Sequence, residues 1–238
     1  MINSLKNFMT YSKKSMQSLW KQEYHTAGIP SSYKAEPSHA VSWFYEFLKK
    51  SNQRSGRILD LGCGKGRNSL YLAQQGFTID CIDFLEENID AIQEIAHIEK
   101  LNVHARCQSV TDPLPYSSST FDAAIDNFCY KHQIDSDLRL AYRKELHRVL
   151  KDQGFFLLTL ASYEDGFYGS LREDMTQTHA VVVDPSTSIP SILFSCTDVL
   201  REFSPLFTLI KAHEKRSMGK MHGRIYERVI LEFIFKKA

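Results

Sequence analysis

Beyond residue 56 the chain alternates between short apolar runs and longer segments in which apolar residues return every three or four positions. The short runs predict strands at 58–61, 77–83, 102–109, 121–126 and 154–160, with two more at 206–213 and 225–235. Between them the wider spacing predicts helices. One opens at Arg67 and stops at Gly76; the next follows Glu86 and Glu87 and carries Ile89, Ile92, Ile95 and Ile98 as one stripe toward a sheet. A third spans 135–150 with Leu138, Ala141, Tyr142, Leu146, Val149 and Leu150 inward, and a short one covers 197–203. Such alternation predicts an α/β fold, a mostly parallel sheet covered on both faces.

Three stretches fall outside this rhythm. Residues 15–24 and 38–50 read as helices, the second with Val41, Phe44, Tyr45 and Leu48 on a stripe that packs on the body of the domain. Residues 28–33 interrupt them, and a polar linker runs from 49 to 56. Residues 162–191, rich in Gly, Tyr, acids and prolines, should sit above the carboxyl ends of the strands, where open α/β sheets bind ligands, as a candidate substrate lid. The segment 214–224, mixed in charge, is expected to return over the site. A length of 238 residues suits one such domain.

The first predicted strand ends in Ile58-Leu-Asp-Leu-Gly-Cys-Gly-Lys-Gly66, an acid followed by three glycines on alternate positions. Strand, glycine turn and helix present bare backbone to a ligand. A dinucleotide site wants G-x-G-x-x-G with pyrophosphate at the helix N-terminus; here the spacing is G-x-G-x-G, and Asp60 beside a pyrophosphate would repel it. S-adenosylmethionine, with its ammonium and sulfonium, suits an acid better. A phosphate-binding P-loop needs four residues between its glycines and Ser or Thr after the lysine, whereas Gly66 follows Lys65. Asp83 ends the second strand 21 positions after Gly62, near the offset at which an acid reaches ribose hydroxyls. That offset serves NAD and S-adenosylmethionine alike.

With these residues in place the chain resembles the class I S-adenosylmethionine-dependent methyltransferases. Leu59 to Gly66 is similar to their glycine motif and Asp83 to their ribose acid. Leu114-Pro-Tyr116 with Ser119 to Asp126 resembles the segment entering their fourth strand, and His147 to Gly154 their helix-to-fifth-strand junction. Residues 64–72 look closest to the small-molecule branch that includes the tellurite-resistance methyltransferases. The resemblance implies a Rossmann-like seven-stranded sheet in the order 3-2-1-4-5-7-6, mostly parallel with an antiparallel last strand, helices on both faces, and an N-terminal helical cap at 1–50. It divides the chain into a cofactor-binding core at 57–160, the lid at 162–191 and terminal strands at 206–236. It also implies cofactor contacts from Asp60, Gly62, Cys63, Gly64, Arg67, Asp83, Phe84 and Asp126, with Tyr24 and Tyr33 in the cap. Where many members carry an adenine-binding acid this chain has Ser109 beside Val110, so adenine contacts fall to the Ser109 hydroxyl or the Val110 backbone.

Composition narrows the partners. A net charge of +1 gives no reason to expect strong binding to a phosphate backbone, and Asp126 is followed by Asn-Phe-Cys rather than the Pro-Pro-Tyr of amino-directed nucleic-acid methyltransferases. Five cysteines without a C-x-x-C pair suggest small buried thiols in a reducing cytosol, and nine histidines show no metal-ligand spacing, so no metal is expected. The longest late apolar run, 229–235, is too short for a bilayer, and the expectation is a soluble cytoplasmic protein. Methyl transfer is an in-line displacement for which positioning supplies much of the rate, and a base is needed only for a protonated acceptor. Asp126 at the end of the fourth strand and His132 just beyond it are the catalytic candidates; Tyr163, Tyr168 and His222 belong to the lids. The expected function is methyl transfer to a small-molecule acceptor. The alternatives are a protein-directed methyltransferase, a non-catalytic S-adenosylmethionine-binding protein and an NAD-dependent oxidoreductase.

Overall fold

A computed structural model describes residues 11–174 and 180–238. The start of the expected cap, 1–10, and positions 175–179 of the expected lid lie outside the described residues. Five strands alternate with helices as the pattern predicts: β1 (Arg57–Leu61), β2 (Thr78–Asp83), β3 (Val103–Cys107), β4 (Phe121–Asn127) and β5 (Leu150–Ala161). Two short strands, β6 (Val181–Val183) and β7 (Pro190–Ile192), pair with each other in a separate two-stranded sheet, and two long ones, β8 (Phe207–Met221) and β9 (Arg224–Lys237), follow. The large sheet has seven strands in the order β3-β2-β1-β4-β5-β9-β8. Because β6 and β7 stand apart, β8 and β9 are its sixth and seventh strands. Strands β1 to β5 are mutually parallel, and β9 runs antiparallel to both β5 and β8.

Successive side chains of a strand face opposite sides, so a sheet covered twice needs apolar residues at neighbouring positions. Ile58 and Leu59 are both fully buried and go to different cores. Ile58, Ile79 and Cys81 pack with Val41, Phe44 and Leu48 of α3 (His39–Lys50), Leu72 of α4 (Arg67–Gln74), and Ile89 and Ile92 of α5 (Glu86–Ile98). Leu59 and Leu61 pack with Tyr142, Leu146 and Val149 of α6 (Ser136–Val149) and Val199 and Phe203 of α7 (Cys196–Phe203). Before them, α1 (Lys13–Thr26) and the one-turn α2 (Pro30–Tyr33) lie outside both layers.

Four expectations are corrected. Ile95 and Ile98 do not extend the α5 stripe: Ile98 is 69% exposed, and Ala96 takes the inward place instead. A step of three residues lags the helical repeat by about 60°, so a period of three winds off the buried face. Leu138, expected inward, is likewise exposed near the start of α6. The last two strands do not stop at 213 and 225 as expected: β8 and β9 continue through 214–224 to a tight turn at Met221–Arg224, and this stretch does return over the site, since Ser217, Met218, Gly219 and Met221 line its cavity. Of the cysteines, Cys63 and Cys81 are buried but Cys107 and Cys196 are exposed. Among the described residues no helix is long and apolar enough to cross a membrane, and no group of three His, Cys, Asp or Glu is placed to hold a metal.

Candidate active site

The glycine turn leaves β1 with Gly62 at φ 72°, Gly64 at φ 55° and Gly66 at φ 79°, left-handed values that side chains resist. Space excludes side chains as firmly. A β-carbon on Gly62 would stand 2.4 Å from Cys129 Sγ, and one on Gly64 2.2 Å from the Tyr24 hydroxyl. The turn is held from β2: the N–H groups of Gly62 and Cys63 donate to the Ile82 carbonyl, and that of Gly64 donates to Asp83 Oδ2 at 2.9 Å. Asp83 Oδ1 accepts from the Leu85 N–H and Asn88 Nδ2. Burial raises the Asp83 pKa above the ordinary carboxylate value, and these donors pull it back.

Helix α1 crosses the carboxyl ends of the strands. Gln17 donates to the Phe84 carbonyl at 2.8 Å, Lys13 pairs with Asp112 at 2.6 Å, and Lys21 pairs with Glu87 at the start of α5. Under it lies a cavity of about 580 Å³, ample for a nucleoside-sized ligand and a small second molecule. One side is walled by Gly62, Asp83, Phe84, Ser109 and Val110; the other, beyond β4, by Trp20, Lys131, His132, Tyr168, Met221 and Arg228. Tyr24 and Arg67 also line it. Burial and the Asp83 charge push the Tyr24 phenol well above its usual pKa, so it stays a hydrogen-bond donor.

Between the two sides the chain leaves β4 under strain. Phe128 has φ 73°, a left-handed backbone rare for an aromatic residue. Asp126 holds it there: Oδ1 accepts the N–H groups of Cys129 (2.8 Å) and Tyr130 (3.1 Å), and Oδ2 accepts the Tyr142 hydroxyl at 2.7 Å. The Asp126 carboxyl is fully buried, and burial pushes its pKa up to about 7.

Residues 58–154 match the methyltransferase-domain family. That stretch holds β1 to β4, the glycine turn and the start of β5, which carry the Asp83 side of the cavity. Residues 58–154 form a methyltransferase domain. Around this methyltransferase domain the chain is 38% identical over 162 residues to YqeM of Bacillus subtilis, named as a methyltransferase, covering 63% of each protein. It is 45% identical over 47 residues to TehB of Haemophilus influenzae, named as an S-adenosyl-L-methionine-dependent methyltransferase, covering 20% of this chain and 16% of TehB. The chain thus spans less than two thirds of these curated relatives. Among solved structures it superposes at TM-score 0.71 on a 1,6-didemethyltoxoflavin-N1-methyltransferase of Burkholderia thailandensis, crystallised with that compound and S-adenosylhomocysteine; identity is 19%, over 94% of this chain and 87% of the other.

The residues of the methyltransferase domain fit S-adenosylmethionine. An acid at the end of β2 beside a glycine turn too tight for side chains leaves room for a nucleoside, and Gly62, Asp83, Phe84, Ser109 and Val110 share one wall. Not every residue expected at the site faces it. Asp60 is buried and turned to α4, where it accepts the Ser69 hydroxyl at 2.6 Å; burial raises its pKa to about 7. Asp126 is withdrawn by its three donors and is absent from the cavity wall, so its role is to shape the turn. Tyr33 is 41% exposed at the outer end of α2 and also lies outside the wall. Cys63 is buried behind the turn beside Cys81. Ser109 lines the cavity with its hydroxyl 2.8 Å from that of Thr111.

His132 does line the cavity, against the Trp20 ring (centroids 4.9 Å apart, nearly perpendicular). Its Nδ1 lies 2.8 Å from the Pro190 carbonyl, which requires the proton on Nδ1 and leaves Nε2 a bare acceptor. Burial and the neighbouring Lys131 push its pKa down to about 3. Such an imidazole accepts hydrogen bonds but is a weak general base near neutrality. Of the lid candidates, Tyr168 joins the wall, whereas His222 pairs with Asp184 at 2.7 Å behind it and Tyr163 lies outside. Lys131 and Arg228 escaped the sequence reading; neither sits in a motif, and nothing local marks a lysine or an arginine as buried.

Proposed function

We propose that the protein transfers the methyl group of S-adenosylmethionine to a small-molecule acceptor. The observation that carries this reading is the continuous cavity that runs from the Asp83 wall to an aromatic-lined chamber of Trp20, His132 and Tyr168 beneath α1. A chamber roofed by a helix admits a small molecule more readily than a folded protein surface or a duplex. Bound cofactor supplies an electrophilic methyl on a sulfonium, and the thioether departs without a proton. The protein's own residues bind and orient. Asp83 accepts the ribose hydroxyls, Ser109 and the Val110 backbone meet the adenine, and Tyr24 with Arg67 faces the methionyl carboxylate. Helix α1 and the segment from 162 to 191 act as cap and lid, excluding water. With His132 a weak base, positioning carries most of the rate.

Calorimetric titration of S-adenosylmethionine, S-adenosylhomocysteine and NAD tests the cofactor assignment. The first two should bind and NAD should not. Asp83→Ala should weaken S-adenosylhomocysteine at least tenfold, since a hydrogen bond to a carboxylate contributes about 1.5–3 kcal/mol. Binding of NAD alone, or unchanged affinity in the variant, would overturn it. Release of S-adenosylhomocysteine with a small acceptor would separate an enzyme from a binding protein.

A further inference from the structure

Lys131 is the least explained residue of the cavity. It is 2% exposed, lines the chamber, and its ammonium nitrogen has no hydrogen-bond partner among the described residues. It rests 3.3 Å from the centroid of the Tyr168 ring and 5.9 Å from that of Phe128. Arg228 flanks the same Tyr168 ring at 5.6 Å, is itself 8% exposed, and also lines the chamber. The two carboxylates whose charge reaches Lys131 are engaged elsewhere. Asp165 takes Arg228 Nε at 2.8 Å and the N–H groups of Phe167, Tyr168 and Val229; Asp184 takes His222.

A buried amine without a partner is costly, and buried polar groups are nearly always satisfied. A cation over an aromatic ring recovers part of that cost, but leaves the three N–H donors unused. Burial and the Arg228 charge hold the amine well below its usual pKa. An ammonium, a guanidinium and an aromatic floor together make the setting in which an oxyanion is bound. We propose that the chamber beyond β4 is an oxyanion subsite, in which Lys131 and Arg228 hold a carboxylate or phosphate of the methyl acceptor against Tyr168. That the oxyanion belongs to an acceptor rests on the methyl-transfer reading; the subsite itself does not. The cofactor's own carboxylate is the rival occupant; the methyl-transfer reading assigns that group to Arg67 and Tyr24 instead.

The test is calorimetry on the full chain with two matched pairs, benzoate against benzamide and phenyl phosphate against phenol, each with and without S-adenosylhomocysteine. At least one acid should bind tenfold or more tightly than its neutral counterpart, and the better acid identifies carboxylate or phosphate. Lys131→Met should abolish that preference, Lys131→Arg should keep part of it, and neither should change S-adenosylhomocysteine affinity. Equal binding of acid and neutral molecule in both pairs overturns the proposal, as does a preference that survives Lys131→Met. Weaker S-adenosylhomocysteine binding in Lys131→Met also overturns it, by assigning the lysine to the cofactor. If Lys131→Met does not fold, the wild-type comparison decides. An acid preference without any binding of S-adenosylhomocysteine would leave the subsite standing and remove the methyl-transfer reading instead.

Discussion

Asp126 and Lys131 face opposite ways around the turn that leaves β4, and each reverses what its charge suggests. The acid is satisfied by two N–H groups and a phenol and shapes the backbone; the lysine has no such partner among the described residues and lines the chamber. Replacing a buried unpaired amine by an apolar side chain of similar length removes a desolvation cost, so Lys131→Met is expected to leave stability unchanged or to raise it by about 1–3 kcal/mol. Urea denaturation measures this; a loss of more than about 1 kcal/mol would mean that the amine holds the fold together. The glycine turn was legible from sequence because its constraint is local: Gly62 and Gly64 take backbone angles and clearances that only glycine meets. Burial of Lys131 is set by Tyr168 and Arg228, 37 and 97 positions away in the chain, and leaves no local trace.

Strands and helices of the methyltransferase core follow the hydrophobic pattern closely, and the departures have geometric causes. On α5, Ile89 and Ile92 are buried, whereas Ile98 has rotated to solvent. Ile92→Ala should therefore cost about 2–5 kcal/mol through lost burial and a cavity, while Ile98→Lys should stay within about 0.5 kcal/mol. Chemical denaturation of the two variants checks the pair, and a large loss for Ile98→Lys would restore the straight stripe. The outer half of the β8–β9 hairpin escaped detection for a different reason. Residues such as Glu214, Arg216 and Ser217 pair through backbone ladders and are largely exposed, so they lack the alternation by which a half-buried strand is recognised. That arm brings Ser217, Met218 and Met221 to the cavity, and its turn docks on the N-terminal segment through the His222 N–H and the Gly28 carbonyl at 2.8 Å.

Across the molecule, two buried carboxyls set an expected pH dependence. Asp60 and Asp126 have pKa values raised to about 7 by burial, against an unfolded value near about 3.9. Between about pH 4 and 7 the folded state therefore keeps protons that the unfolded state has lost, and stability falls as pH rises through that window, levelling above it. Asp126→Asn preserves an acceptor for the Cys129 and Tyr130 N–H groups and removes one of the two titrations. Its stability relative to wild type should grow by roughly 1 kcal/mol per pH unit between pH 5 and 7, read by urea denaturation at several pH values. A constant difference would show that the three donors keep Asp126 ionised. Sequence alone determined the parallel sheet, the glycine turn and the acid that ends β2, because doubly covered strands and a side-chain-free turn restrict residue types position by position. Tertiary structure decided which acids turn inward to brace the turn and which cations line the chamber, because Trp20, Lys131, Tyr168 and Arg228 acquire their surroundings only when distant segments meet over the sheet.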